Sequence, residues 1–331
     1  MKKKNHMNRR EVMAGMSALV ASPRLMSNQD LIVKSHNIDL SDPVQNALAY
    51  TKLIGTTARS MVHIYYKGTI YGMTPEDGAK PMIGHTGVLK GVWKPWVNNS
   101  FYYTLYDVGY FSDLETGLPS EEFTNPFTGE INRPVKIIGG PFDRVIKPEV
   151  RPFKVRGDEL WLDEPAYLNF VNKLDPKIWK KASTAERLSF LYVETYHGKI
   201  SDIANPDLTS APMTITSTHN TSWYPFFLMG QRPGRHYWQS VGKKVDDLER
   251  DVPIELINFI EKEFSFEKDF AFNEIYKWSE KNLRDECIEY IVSMMMEPYD
   301  YITNPLLKSM SADEDKYFTC LLYTSPSPRD S

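Results

Sequence analysis

A chain of 331 residues with 41% hydrophobic and 25% charged residues is long enough to bury a sizeable core and too apolar to be disordered. Its formal charge of −4 is unevenly placed: Lys2, Lys3, Lys4, Arg9, Arg10 and Arg24 against Glu11 give the first 27 residues net +5, which leaves −9 on the rest. An acidic body is ill suited to nucleic acid, whose phosphates need a Lys/Arg surface, and no apolar run approaches the roughly 20 residues of a permanent membrane span.

The first stretch, MKKKNHMNRREVMAGMSALVA, sets a basic region and the pair Arg9-Arg10 before a short apolar segment. That order is the pattern of a twin-arginine signal, whose export machinery carries folded proteins. Residues 1–27 are expected to be such a leader, and the protein periplasmic or secreted; the competing reading is a basic N-terminus of a cytoplasmic protein. Exchanging Arg9-Arg10 for Lys-Lys in a fusion to a folded reporter is expected to hold the reporter in the cytoplasm. Unchanged export would overturn the twin-arginine reading.

From Ser60 to Lys244 the pattern is of strands and turns. In MVHIYYKGTIYGM, Val62, Ile64, Tyr66 and Ile70 alternate with His63, Tyr65, Lys67 and Tyr71, as on the two faces of a strand. MIGHTGVLKGVWKPW carries Gly84, Gly87 and Gly91, which predict bulges or tight curvature inside a strand. SFYYTLYDVGYF is a third strand with large residues on both faces. Two similar turns follow, DLETG at 113–117 and NPFTG at 125–129, each opened by an Asx side chain and closed by glycine.

Further strands are expected at 134–139, 151–156, 159–163, 187–197, 212–218 and 235–241. One or two short helices are expected within AYLNFVNKLDPKIWKKAS (166–183), another over 253–264, and helical spacing runs from 272 to 319. The fold expected is mainly β: a curved antiparallel meander closing into a calycin- or lipocalin-like barrel, with C-terminal helices. Aromatic residues on both strand faces mean either an outside covered by helices or an inside that is a lined cavity.

The last residues, CLLYTSPSPRD from Cys320, match the in-frame translation of a transposase sequencing adaptor, so 320–331 are expected to be read-through that contributes nothing to folding. Cys287 then stands alone, with the helical neighbours of a small core residue rather than a nucleophile.

Three segments, FSDLETGLPSEEFTNPFTGEINRPVKII, SAPMTITSTHNTSWYPFFLMGQRPGRHYW and SVGKKVDDLERDVP, resemble a bacterial and fungal family known as domain of unknown function 1838. The resemblance covers about residues 38–270 and implies a β-rich domain, often behind a twin-arginine signal. It brings no reaction with it. The positions that match, among them Asn125, Gly129, Trp223, Pro225, Gly230 and Gly234, are mostly turn and packing residues by their chemistry.

The chemistry is therefore read from the residues alone. No G-x-S-x-G elbow, Walker A or G-x-G-x-x-G motif is present, and no histidine spacing is that of a metal site, so neither metal nor cofactor is expected. The remaining signal is the aromatic corner at 222–244. Trp223, Tyr224, Arg235, His236 and Trp238 are candidate ligand-binding residues, with His85 and His219 as neighbours. On a strand His236 and Trp238 share one face and Arg235 takes the other; the His236/Trp238 face is expected to point inward, with Arg235 wet at the rim.

Three functions fit. The first is a barrel that binds a small apolar or aromatic molecule. The second is an isomerase- or cyclase-type enzyme using a cavity histidine, and the third is a structural or interaction protein with a filled core.

Overall fold

The computed structural model describes residues 38–263, apart from 135, 173–179 and 184. The expected leader (1–27), the helical stretch 272–319 and the tail 320–331 lie outside the described residues. Among the described residues there are eleven strands: β1 (Ser60–Thr74), β2 (Gly78–Pro95), β3 (Phe101–Ser112), β4 (Phe123–Thr124), β5 (Ile131–Asn132), β6 (Ile137–Ile146), β7 (Lys154–Arg156), β8 (Glu159–Val171), β9 (Arg187–Lys199), β10 (Thr214–Thr221) and β11 (Arg235–Val245). Nine of them form one antiparallel sheet in the order β6-β3-β2-β1-β11-β10-β9-β8-β7, while β4 and β5 make a separate ribbon.

This order corrects the expectation of a closed barrel. The first and last strands do meet, through an unbroken ladder from His63–Val245 to Met73–Arg235. The circuit stays open elsewhere, between consecutive strands β6 and β7, which are the two edges of the sheet. The link between them contains Pro148 and Pro152, which have no N–H to offer a ladder. Its Arg151 main chain is also engaged: Arg151 N donates to Asn46 Oδ1 and Asn46 Nδ2 donates to Arg151 O, both at 3.0 Å. Strand β7, at three residues, is too short to close the gap.

Asn46 belongs to a helix, α1 (Pro43–Ile54), that the strand-by-strand reading of the sequence does not include. Its start has local causes: Asp42 caps it by accepting from Val44 N and Gln45 N, and Pro43 occupies the first turn. A second correction concerns the start of 166–183, where one or two short helices are expected; residues 173–179 of that stretch lie outside the described residues. Residues 166–171 instead continue β8, which pairs with β9 as far as Val171–Arg187. Pro165 fits there because β8 is paired with β7 only over Glu159–Trp161, so its missing N–H falls on an unpaired side.

The turns are as the sequence implies. Asn125 Oδ1 accepts from Phe127 N, Gly129 N bonds Asn125 O, and Gly129 sits at φ 72°. The expected C-terminal helix is present as α2 (Ile254–Glu263), after a single helical turn at Leu248–Asp251. It packs Leu256 and Ile260 on Val88, Tyr106, Val108 and Tyr110 on the convex face of the sheet. The concave face is sealed at both ends. Helix α1 buries Ala47, Tyr50, Leu53 and Ile54 against Ile64, Trp93, Leu162 and Ile215 at one end. Residues 223–229 bury Trp223, Tyr224, Phe226 and Phe227 against Ile70, Phe111 and Trp238 at the other. Both alternatives raised by the two-faced aromatics are therefore realised: a covered outside and a lined inside.

Candidate functional site

Directly opposed residues of an antiparallel ladder point to the same face, so the register divides the concave wall into rows. A polar row crosses six strands: Glu164, Glu194, Ser217, Ser240, Gly68 and His85. Beside it runs an aromatic row of Ala166, Tyr192, His219, Trp238, Ile70 and Ile83. On its other flank are Leu162, Tyr196, Ile215, Gly242, Tyr66 and Gly87. Side chains of all three rows line a cavity of about 770 Å³, which also takes in Tyr50, Trp93, Tyr103, Arg144 and Arg151.

Two glycines let side chains reach across the sheet. His85 on β2 lies over Gly68 of β1, where an added Cβ would sit 2.7 Å from His85 Cε1. Its Nε2 thereby comes 2.7 Å from Ser240 Oγ, two strands away. In the same manner Tyr66 on β1 lies over Gly87 of β2 and donates to Asp107 Oδ1 on β3 at 2.7 Å. Gly87 is thus a matter of space rather than of the bulge expected from the sequence. The β2–β3 register runs unbroken from Gly84 to Pro95, and the irregularity in β1–β2 falls at Ile70/Tyr71 instead.

At the α1 end of the polar row, Glu164 and Glu194 face each other across β8 and β9. Tyr50 Oη donates to Glu164 Oε2 at 2.9 Å, and Tyr196 Oη donates to Glu194 Oε2 at 2.5 Å. Burial is the main cause of a Glu164 pKa pushed up to about 7, with the Glu194 charge adding to it and the Tyr50 hydrogen bond opposing it. Burial also raises Glu194, against the lowering effect of Tyr196. Two adjacent carboxyls that resist ionisation can hold a proton between them near neutral pH. The Arg151 guanidinium lies 4.2 Å over the Tyr50 ring and pairs with Glu149 at 2.6 Å.

At the other end the groups are aromatic and neutral. Burial lowers His85 to about 3 and His219 to about 4, so both imidazoles are uncharged at neutral pH. His219 Nε2 lies 2.9 Å from Ser217 Oγ. The His85 ring is 4.7 Å from Trp238, and His219 stacks on Trp238 at 5.8 Å.

Of the seven candidates read from the sequence, Tyr224, Trp238, His85 and His219 line the cavity. Trp223, Arg235 and His236 do not. His236 is on the concave side but fully buried behind Tyr224 and Phe227, whose rings are 4.3 and 5.0 Å away. Trp223 is packed beneath, its Nε1 donating to Arg232 O at 3.1 Å. Arg235 is exposed on the opposite face, donating to Asn220 Oδ1 at 2.9 Å. Sequence reasoning did not single out Glu164, Glu194, Ser217, Tyr50 or Tyr66 for the site. Among the described residues no group of three His, Cys, Asp or Glu side chains is placed to hold a metal ion, and no helix is long and apolar enough to cross a membrane.

Fold and cavity together define a mainly β protein built around an open, strongly lined trough. The chain belongs to the family described as Protein of unknown function (DUF1838), whose match spans residues 59–270 and so contains the whole nine-stranded sheet. Helix α1, which supplies one end wall of the trough, precedes the matched span. No curated protein matches the chain.

Proposed function

We propose that this protein binds a small, largely apolar or aromatic molecule in the trough. The observation that carries the reading is the cavity of about 770 Å³, within the range of small-molecule sites, whose apolar walls frame one continuous row of polar side chains. Apolar walls supply affinity through removal of surface from water, and a few placed polar groups orient the guest. A cavity of that size argues against a structural protein with a filled core. With the leader read from residues 1–27, binding would occur in the periplasm or outside the cell.

The neutral fluorophore N-phenyl-1-naphthylamine tests this directly. The full chain should bind it saturably, with a blue-shifted emission. Ser217→Trp, which fills the middle of the polar row, should weaken binding by about tenfold or more. Absence of saturable binding to a folded wild-type chain would overturn the reading.

An acid–base enzyme of isomerase or cyclase type is a second reading, favoured by the Glu164–Glu194 pair. The cavity histidines are weak bases at neutral pH because burial has lowered them. Glu164, held at about 7, is better matched to proton transfer near neutrality.

A further inference from the structure

The charged groups that line the trough differ in what meets their charge. Glu149 pairs with Arg151 at 2.6 Å, Asp163 pairs with Lys154 at 2.5 Å, and Asp107 accepts from Tyr66 Oη at 2.7 Å. Arg144 interacts with Tyr103, and His85 and His219 are uncharged at neutral pH. Glu164 and Glu194 remain, each meeting one tyrosine hydroxyl and, among the described residues, no ion-pair partner.

These two carboxyls converge. They oppose each other directly across β8 and β9 on the concave face, where facing Cβ atoms are about 5 Å apart. Tyr196 feels both charges, and so does Tyr103 from β3. Oε2 of each carboxyl takes its tyrosine hydroxyl, while Oε1 of each accepts no hydrogen bond among the described residues and keeps accessible surface. Strand β7 pairs only with Glu159–Trp161 of β8, so Glu164 stands on the side where the sheet is open.

Charge, lining and spacing then define what fits. Burial makes both carboxyls costly to ionise, and Arg151 offsets this only in part, being shared with Glu149 and the Tyr50 ring. A desolvated carboxylate gains most from a cation that brings its own N–H donors, and an alkylammonium brings up to three. Aromatic faces favour the same sign of charge, and Trp93 and Tyr103, stacked at 5.0 Å, line the cavity at this end. Neighbouring strands are about 4.8 Å apart, so His219 on β10 and Trp238 on β11 lie about 5 and 10 Å across the sheet from β9, which carries Glu194. That is the reach of a flat ring system with a short aliphatic arm.

We infer that the guest of the trough is an arylalkylamine, its ammonium group held between Glu164 and Glu194 and its flat apolar body laid along Tyr192, His219 and Trp238. The inference rests on the reading of the trough as a ligand site and adds to it the charge and chemical class of the guest.

Displacement of N-phenyl-1-naphthylamine from the full chain tests it. At about pH 8, 2-(1-naphthyl)ethylamine is a cation and 2-(1-naphthyl)ethanol is its neutral counterpart. The amine is expected to displace the dye at about tenfold lower concentration, as a charge-assisted hydrogen bond in a buried site allows. In Glu194→Gln that ratio should fall to about twofold or less. A second readout needs no variant: calorimetry in buffers of different ionisation enthalpy counts the protons exchanged on binding. Near pH 7 Glu164, held at about 7, is half protonated, so a cation beside it should release up to about half a proton, whereas the alcohol should release none. Equal potency of amine and alcohol on the wild type, or an amine preference without proton release, would overturn the inference while dye binding keeps the trough reading in place. A preference that persists in folded Glu194→Gln would also overturn it, since the ammonium would then sit elsewhere. A folded wild-type chain that binds neither the dye nor the probes would overturn both readings. If Glu194→Gln fails to fold or to hold the dye, the wild-type ratio and the proton count decide.

Discussion

Replacing Gly68 with alanine is expected to cost about 3 kcal/mol, more than a comparable change at a turn glycine. The added Cβ would meet the Gln239 carbonyl oxygen and lie 2.8 Å from Ser240 Cα, both main-chain atoms of β11. Neither can yield without disturbing the β1–β11 ladder that joins the two halves of the sheet. The methyl would also displace His85 from Ser240, changing the cavity wall. For a domain of this size such a loss lowers the melting temperature by roughly 2–4 °C per kcal/mol. Gly129→Ala is the control: its φ of 72° penalises a side chain by about 1 kcal/mol, but the space around it is open. Thermal melts in which Gly68→Ala is as mild as Gly129→Ala would mean that β11 does not lie so close behind Gly68.

Acid should unfold the protein more steeply than carboxylates alone would cause. His85 and His219 are lowered to about 3 and about 4 by burial, and His236 is also well below its ordinary 6.5. Between 6.5 and those values the unfolded chain binds protons that the folded chain refuses, so stability falls as pH falls. Each group contributes at most about 1.4 kcal/mol per pH unit. Glu164 acts in the opposite sense: raised to about 7 from 4.5, it keeps a proton in the fold that the unfolded chain releases, so from 4.5 to 7 its contribution falls as pH rises. It therefore blunts the loss between about pH 6.5 and 4.5 and has no further effect below. Urea midpoints should decline from about pH 6.5, because three imidazoles outweigh one carboxyl, and more steeply beneath about pH 4.5. In Glu164→Gln the decline between about pH 6.5 and 4.5 should be steeper than in the wild type, by up to about 1.4 kcal/mol per pH unit. A wild-type midpoint that stays flat to pH 4 would mean that the imidazoles are protonated within the fold.

Much of this architecture was legible in the sequence, and the part that was not has a physical cause. Alternation in MVHIYYKGTIYGM reports faces correctly because the period of a strand is local. The turns at Asp113 and Asn125 are legible because an Asx side chain and a terminal glycine act over five residues. Pairing partners are another matter. Glu164 and Glu194 lie opposite each other only through the β8–β9 register, and Ser217 joins them only through β10. Nothing local in DEPAYL or YVETYH marks those carboxyls as buried. The same limit explains the misjudged closure, since the Asn46–Arg151 clamp joins residues far apart in the chain. His236 shows the converse: alternation places it on the concave side with Trp238, but only the fold shows Tyr224 and Phe227 standing between it and the cavity.

The junction of β1 with β11 bears on how the molecule is made. These strands lie at the middle of the sheet, yet every other strand is synthesised between them. The meander from β1 to β6 can form early from near neighbours, and β7 to β11 can follow in the same way. Neither half has its central partner until β11 has left the ribosome, and the loop closed at that step contains nearly the whole sheet. Non-local pairing of this kind is slow, and it leaves an unprotected strand edge in the meantime. A nascent chain stopped before Arg235 therefore exposes the inner edge of β1, and the newborn protein depends most on chaperones in the interval before its last strand arrives.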